Sequence, residues 1–444
     1  MSRIRTRAVT AALAAVALAV GMSACSSTPS AGKSSISVMT WGTAEDIKSI
    51  KDAAAGFSKE NPNVTVKFLT GDCAVSYPAC KQLIAGGNMP DVVVPGSWDY
   101  NVMVKAGILS DLTGAVKKAG VSTSDFTPAA LDVAKSAIDG KLHALPMGYN
   151  IQSLFFNEDM FDKAKLGYPD PKGNYSWDDI RSWAKKLTLD TKGNNAESPQ
   201  FDPTKIVQYG MHFGVTDQWP NIVARSFGGA VLGGKLYDKC GLEDPATITA
   251  LQFVQDMMFK DHTAITQQQN TEHPGYQRWV TGSVAMEIGS HEQVGLAHAQ
   301  NPSMHFDIAA APKGTAGQVT MLQEHLWSAY AGSKNLPDAE KFVLYMATKG
   351  AGKQMGLIPA YKDLAQTHFA SEPGEPKHIV EGQLEPAKWT SLFANIDPKG
   401  IRDAVSGQDG YGQVLTNIFT GAKPAADAVK GACAKVDKII NASK

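Results

Sequence analysis

Strand and helix alternate through the first third of the chain, and that order limits the folds open to it. Ile36, Val38 and Thr40 share one face of a strand that ends at Trp41. Ile47, Ile50, Ala54 and Phe57 form one stripe of a helix, which Asn61-Pro62-Asn63 breaks. Val64, Val66 and Phe68 make a second strand, and a helix is expected near Tyr77 to Ala85. Gly86-Gly87-Asn88-Met89-Pro90 ends it, and Asp91-Val92-Val93-Val94 has the unbroken apolar run of a buried parallel strand. This β-α-β-α-β order is that of a doubly wound α/β sheet, in which ligands sit beyond the carboxyl ends of the strands. Two aromatic turns fall there, Trp41-Gly42-Thr43 and Gly96-Ser97-Trp98-Asp99-Tyr100.

Gly140 to Pro146 reads as a short hairpin and strand. It leads through Met147-Gly148-Tyr149-Asn150 to a strand at Ser153–Asn157, so residues 146–152 are expected to cross between domains. Farther on, Trp177, Ile180, Trp183, Ala184 and Leu187 fit one helix face, with Ser176 as its cap. Asn335-Leu336-Pro337 starts another helix, with Phe342, Val343 and Met346 on one face. No internal repeat is visible.

The leading residues carry an address. Arg3, Arg5 and Arg7 precede an apolar run from Ala8 to Val20, too short for a bilayer-spanning helix and suited to a secretory signal. Met22-Ser23-Ala24-Cys25 resembles the lipobox of bacterial lipoproteins, which implies a signal peptide over 1–24 and lipid on Cys25. Ser26 to Ser34 reads as a flexible polar tether, giving a lipidated leash over 25–35. An exported protein cannot count on ATP or NADH, so capture, cleavage or adhesion are its default tasks.

About 410 residues remain beyond the leash, enough for two or three domains. Hydrophobic content of 43% and a formal net charge of -1 give no electrostatic case for nucleic acid. Four cysteines besides Cys25 allow three pairings in an oxidising compartment. Cys73 and Cys80 flank a Pro-containing turn, which favours Cys73–Cys80 and, by elimination, Cys240–Cys433; the alternative leaves the second pair as free thiols. There is no CxxC and the ten histidines are scattered, so no metal and no cofactor is expected.

Catalytic motifs are mostly missing. No GxSxG elbow occurs. His291-Glu292-Gln293-Val294-Gly295 begins like a zinc-protease motif and lacks the second histidine. Gly229 to Leu236 has phosphate-loop spacing, but Leu236 stands where Ser or Thr must hold magnesium. Asp178-Asp179 fits a helix first turn better than a glycosidase acid pair. What stands out is ring faces beside hydrogen-bonding groups, the means by which proteins hold sugars. Trp98-Asp99 and Gln218-Trp219 meet that description, with His291-Glu292 as a weaker version.

A series of short segments, in order, resembles the extracellular solute-binding proteins of carbohydrate ABC importers, the group that includes maltose-binding protein. They are Gly87-Asn88-Met89-Pro90-Asp91-Val92-Val93, Lys105 to Leu112, Gly140 to Pro146, Phe155 to Phe161, Trp177-Asp178-Asp179-Ile180, Thr281 to Gly289, Ala339 to Phe342 and Ile358-Pro359-Ala360. The resemblance implies a two-lobed periplasmic-binding-protein fold of type II, with a hinge and a ligand cleft. Lobe one would be 36–146 plus 327–361 and lobe two 151–325 plus 363–444. It implies a non-enzymatic, monomeric receptor that hands a carbohydrate to permease subunits. Position by position, it points to Ser97, Trp98 and Asp99 in the turn after the third strand. Asn150 follows at the first crossing, where maltose-binding protein has an acid, then Trp219, then His291 with Glu292. Trp41 and Trp327 are expected at strand ends facing the cleft. Another polar solute, a polyamine or a glycerophosphodiester, is the alternative within binding; a secreted glycoside-acting enzyme is the rival outside it.

Overall fold

The computed structural model describes residues 33–442 except 72, 74–76, 215–218, 235–237, 353, 368–369, 371–373, 387–404 and 408. The expected signal peptide, Cys25 and most of the leash, together with Gln218, lie outside the described residues.

Two sheets carry the fold. The first orders its strands Ile358–Pro359, Leu145–Ile151, Leu322–Ala329, Val92–Val93, Ser34–Thr40 and Val64–Thr70. Ser34–Thr40 runs parallel to both Val64–Thr70 and Val92–Val93, as the β-α-β-α-β order requires. Leu322–Ala329 is antiparallel to its neighbours on both sides, so the sheet is mixed. The second sheet orders Phe306–Ala309, Ser153–Asn157, Val284–Gly289, Ile206–His212 and Leu189–Asp190. The chain leaves the first sheet at Ile151 and enters the second at Ser153, within the expected crossing. It returns between Ala309 and Leu322, and leaves again after Pro359. Gln323, Glu324 and His325, expected in the second lobe, pair instead with Asn150, Tyr149 and Gly148 in the first sheet.

Local chemistry accounts for the helices. Ala44–Glu60 starts with a reciprocal capping box, in which Thr43 and Asp46 satisfy each other's backbone N–H, and it buries Ile50, Ala54 and Phe57. Trp177–Leu187 has the same device from Ser176 and Asp179 and buries Trp177, Ile180, Ala184 and Leu187. That is the role of the Asp178-Asp179 pair: negative charge in a helix first turn. Trp279 is fully buried against Phe155 and Phe306. Both expected disulfides are formed, Cys73–Cys80 and Cys240–Cys433.

Helix Trp177–Leu187 lies so close to the second sheet that a Cβ at Gly210 would stand 2.3 Å from the Ala184 carbonyl oxygen. Backbone, not a movable side chain, fills that space. Gly210→Ala should therefore pry helix from sheet and cost about 1–3 kcal/mol, the usual range for overpacking, read from the urea unfolding midpoint. An unchanged midpoint would show that the helix can shift freely.

Candidate functional site

The carboxyl ends of the first sheet gather three rings. Trp41 follows the strand Ser34–Thr40, and its indole Nε1 donates to the Val94 carbonyl at 3.3 Å, which ties it to the next strand. Trp98 lies in the first turn of the helix Ser97–Lys105. His325 lies opposite Gly96 in an isolated bridge. Ring centroids are 4.8 Å apart for Trp41 and His325, 5.7 Å for Trp98 and His325, and 6.4 Å for the two indoles, all edge-on. Gly96 makes this possible. A Cβ there would stand 2.3 Å from the Trp98 ring, so only glycine lets the indole fold back over the chain. Both tryptophans stay part-exposed, while His325 is buried. Burial lowers the His325 imidazole to about 4, so the ring is neutral near pH 7.

Polar groups line the same corner. Asn150, two residues from His325's partner Gly148, lies opposite Gln323 in the first sheet. Its Nδ2 donates to Glu292 Oε1 at 2.8 Å. Glu292 opens the helix Glu292–Gln300, which follows the second-sheet strand Val284–Gly289. This hydrogen bond joins the two halves at the mouth of the first sheet. Glu292 reaches solvent but is walled by protein, and that burial pushes its carboxyl up; the Asn150 bond opposes the shift and the Asp46 charge adds to it. Asp46 sits against Gly42, beside Trp41, with its Oδ2 held by the Thr43 N–H and hydroxyl. Ser97 Oγ, Thr40 Oγ1, Asn150 Oδ1 and His325 Nδ1 are buried and meet no hydrogen-bond partner among the described residues. A buried polar atom left unpaired costs roughly 1–3 kcal/mol, so such a set at one corner suits a polar guest.

Residues 41–353 match the family model of bacterial extracellular solute-binding proteins. The chain belongs to that family. A protein of Brucella abortus (strain 2308) described as a binding protein is 22% identical over 408 residues, spanning 88% of this chain and 89% of that one. Among solved structures, an ABC substrate-binding protein of Listeria monocytogenes in complex with cycloalternan superposes with a TM-score of 0.75. It is 20% identical and covers 92% of this chain and 99% of its own. UgpB of Mycobacterium tuberculosis, in complex with glycerophosphocholine, gives 0.71 at 16% identity, covering 91% and 99%. The solute-binding protein therefore has the two-lobed α/β fold of type II periplasmic binding proteins. Among its described residues no helix is long and apolar enough to cross a membrane, and no group of three or more His, Cys, Asp or Glu is placed to hold a metal ion.

Of the site residues expected from sequence, the structure brings Trp41, Ser97, Trp98, Asp99, Asn150 and Glu292 to this corner, with Asp99 beside Trp98 in the helix first turn. It places three elsewhere. Trp219 is 2% exposed, packed on Phe213 and Phe419 in the core of the second half. Trp327 is fully buried against Phe342, its Nε1 donating to Gln354 Oε1 at 3.0 Å. The reason is strand direction. Leu322–Ala329 runs antiparallel, so it starts at the mouth, and Trp327 lies two residues deeper than His325. His291 is buried with both ring nitrogens engaged, Nδ1 with the Gly356 carbonyl at 2.9 Å and Nε2 with Glu375 Oε2 at 2.6 Å. It is a strut rather than a wall of the site. Sequence reasoning missed His325 and Asp46. A signal for the first exists: Glu324-His325 puts two ionisable groups just before the apolar pair Leu326-Trp327.

Proposed function

We propose that this solute-binding protein is the extracytoplasmic, lipid-anchored receptor of an ABC importer, and that it captures a sugar or short oligosaccharide and passes it unaltered to the permease. The observation that carries this reading is the corner where Trp41, Trp98 and His325 meet the Asn150–Glu292 hydrogen bond. Indole faces cover the C–H patches of a sugar ring, and amides and carboxylates bind its hydroxyls. The solute bridges two lobes, near 36–146 plus 327–361 and 151–325 plus 363–444 with Gln323 to His325 moved to the first, and contacts with both are what favour a closed state. The cycloalternan complex of the Listeria protein supports a carbohydrate guest on the same fold. The Cys25 lipobox supports the anchor, and a monomer suffices for the task.

A thermal-shift screen over sugars, amines and phosphodiesters tests the reading, because a ligand that binds only the folded form raises its melting temperature. A sugar should give the largest rise and be recovered unchanged after incubation; turnover would make the protein an enzyme. Trp98→Ala should weaken the best hit about 30-fold, the loss typical of a central aromatic anchor. Unchanged affinity would remove Trp98 from the site.

A further inference from the structure

The corner offers a guest negative charge from Asp46 and Glu292 beside the free oxygen of Asn150. Asn150 is 3% exposed; its Nδ2 is spent on Glu292 and its Oδ1 meets no partner among the described residues. Asp46 is held against Gly42, next to Trp41, and its charge acts on Glu292. Among the described residues, the charged groups acting on Glu292 are Asp46, which raises its carboxyl, and His291, which lowers it, with no Lys or Arg beside them. Negative charge in a protein-walled crevice is costly unless a cation offsets it, and the faces of Trp rings attract cations. A phosphodiester meets the opposite conditions. The helices Ser97–Lys105 and Glu292–Gln300 both begin at this corner, but each already carries an acid in its first turn, Asp99 and Glu292.

We propose that the solute is an amine-bearing sugar whose ammonium is held by Glu292, Asp46 and the free oxygen of Asn150 against the indoles of Trp41 and Trp98. This rests on the sugar-receptor reading above and narrows it to a chemical class. The ammonium offsets the negative charge at the corner, and the sugar ring supplies the apolar faces that the indoles cover. Near pH 7 the neutral His325 imidazole does not compete with the cation.

A matched series of β-1,4-linked di- and trisaccharides separates the contributions, differing only at position 2: hydroxyl, free amine or acetylated amine. Titration calorimetry near pH 6, where a sugar amine is protonated, should show the free amines binding about 10- to 100-fold more tightly than the hydroxyl members, the range for hydrogen bonds to charged groups. Glu292→Gln should erase that margin while costing the hydroxyl members only about threefold. The comparison on the native protein stands even where the variant folds poorly. Equal or tighter binding of the hydroxyl or acetylated members, an equal loss for both in Glu292→Gln, or no binding by any member would overturn the inference. Tight binding of hydroxyl members alone would leave the sugar-receptor reading intact. A response to spermidine with none to any sugar would overturn both this inference and the sugar-receptor reading.

Discussion

Replacing Cys240 and Cys433 together by serine should cost the fold about 5 kcal/mol. The bond closes a loop of sequence separation 193, and the chain-entropy cost of closing a loop that long in the unfolded state is about 5 kcal/mol. The Cys73–Cys80 bond, with separation 7, should be worth only about 2 kcal/mol on the same relation. The larger value has a structural counterpart. The last described helix, Ala432–Ala442, buries Ala432, Val436 and Ile440, and Asp437 Oδ1 accepts from the Cys240 N–H at 3.1 Å. The bond thus ties the final turns of the chain to the short strand Lys239–Cys240 in the second half. Urea unfolding of the native and double-serine proteins without reductant measures the difference. A change under about 1 kcal/mol would mean that helix packing alone holds this end.

The second large effect depends on pH. Glu324 is fully buried on the strand Leu322–Ala329, opposite Tyr149, and neither carboxyl oxygen meets a partner among the described residues. Burial pushes its carboxyl well above the usual range, and burial likewise pushes the Tyr149 phenol up to about 12. The folded chain therefore keeps a proton on Glu324 that the unfolded chain releases above about pH 4.3. Stability from this group is fully present below that value and falls as pH rises toward the folded-state value. The slope is about 1.4 kcal/mol per pH unit. Glu324→Gln has no proton to lose, so its stability relative to the native protein should improve as pH rises from 5 to 7, by up to about 1.4 kcal/mol for each unit over which the folded carboxyl keeps its proton. Unfolding midpoints at both values, on both proteins, give the comparison. A constant difference would mean that the carboxylate stays ionised in the fold.

These cases mark where the sequence was readable and where it was not. The parallel strands and their helices follow from local periodicity and caps, so Ser34–Thr40, Ala44–Glu60 and Tyr77–Ala85 are legible without the fold. Trp41 and Trp98 were legible too, since each follows a parallel strand whose carboxyl end must face the crevice. Trp327 was not. Its strand returns from the other sheet and runs backwards, and direction is a property of the whole chain path rather than of its neighbours. Trp219 failed for a related reason. Phe419, two hundred residues later in sequence, covers its ring, and no local pattern announces that. His291 looked like a ligand contact because its ring adjoins the hydrogen-bonding Glu292 and the family resemblance points to that position; the ring is occupied by Gly356 and Glu375, both distant in sequence.

The strand Ser34–Thr40 enters the fold at Ser34, whose hydroxyl donates to Asp338 Oδ2 at 2.6 Å, and ends beside Trp41 at the crevice. Seven residues of extended chain separate those points, roughly 20 Å. The leading end of the sheet and the opening that meets the solute are thus the two poles of one strand, and a load on either is passed straight to the other along its backbone.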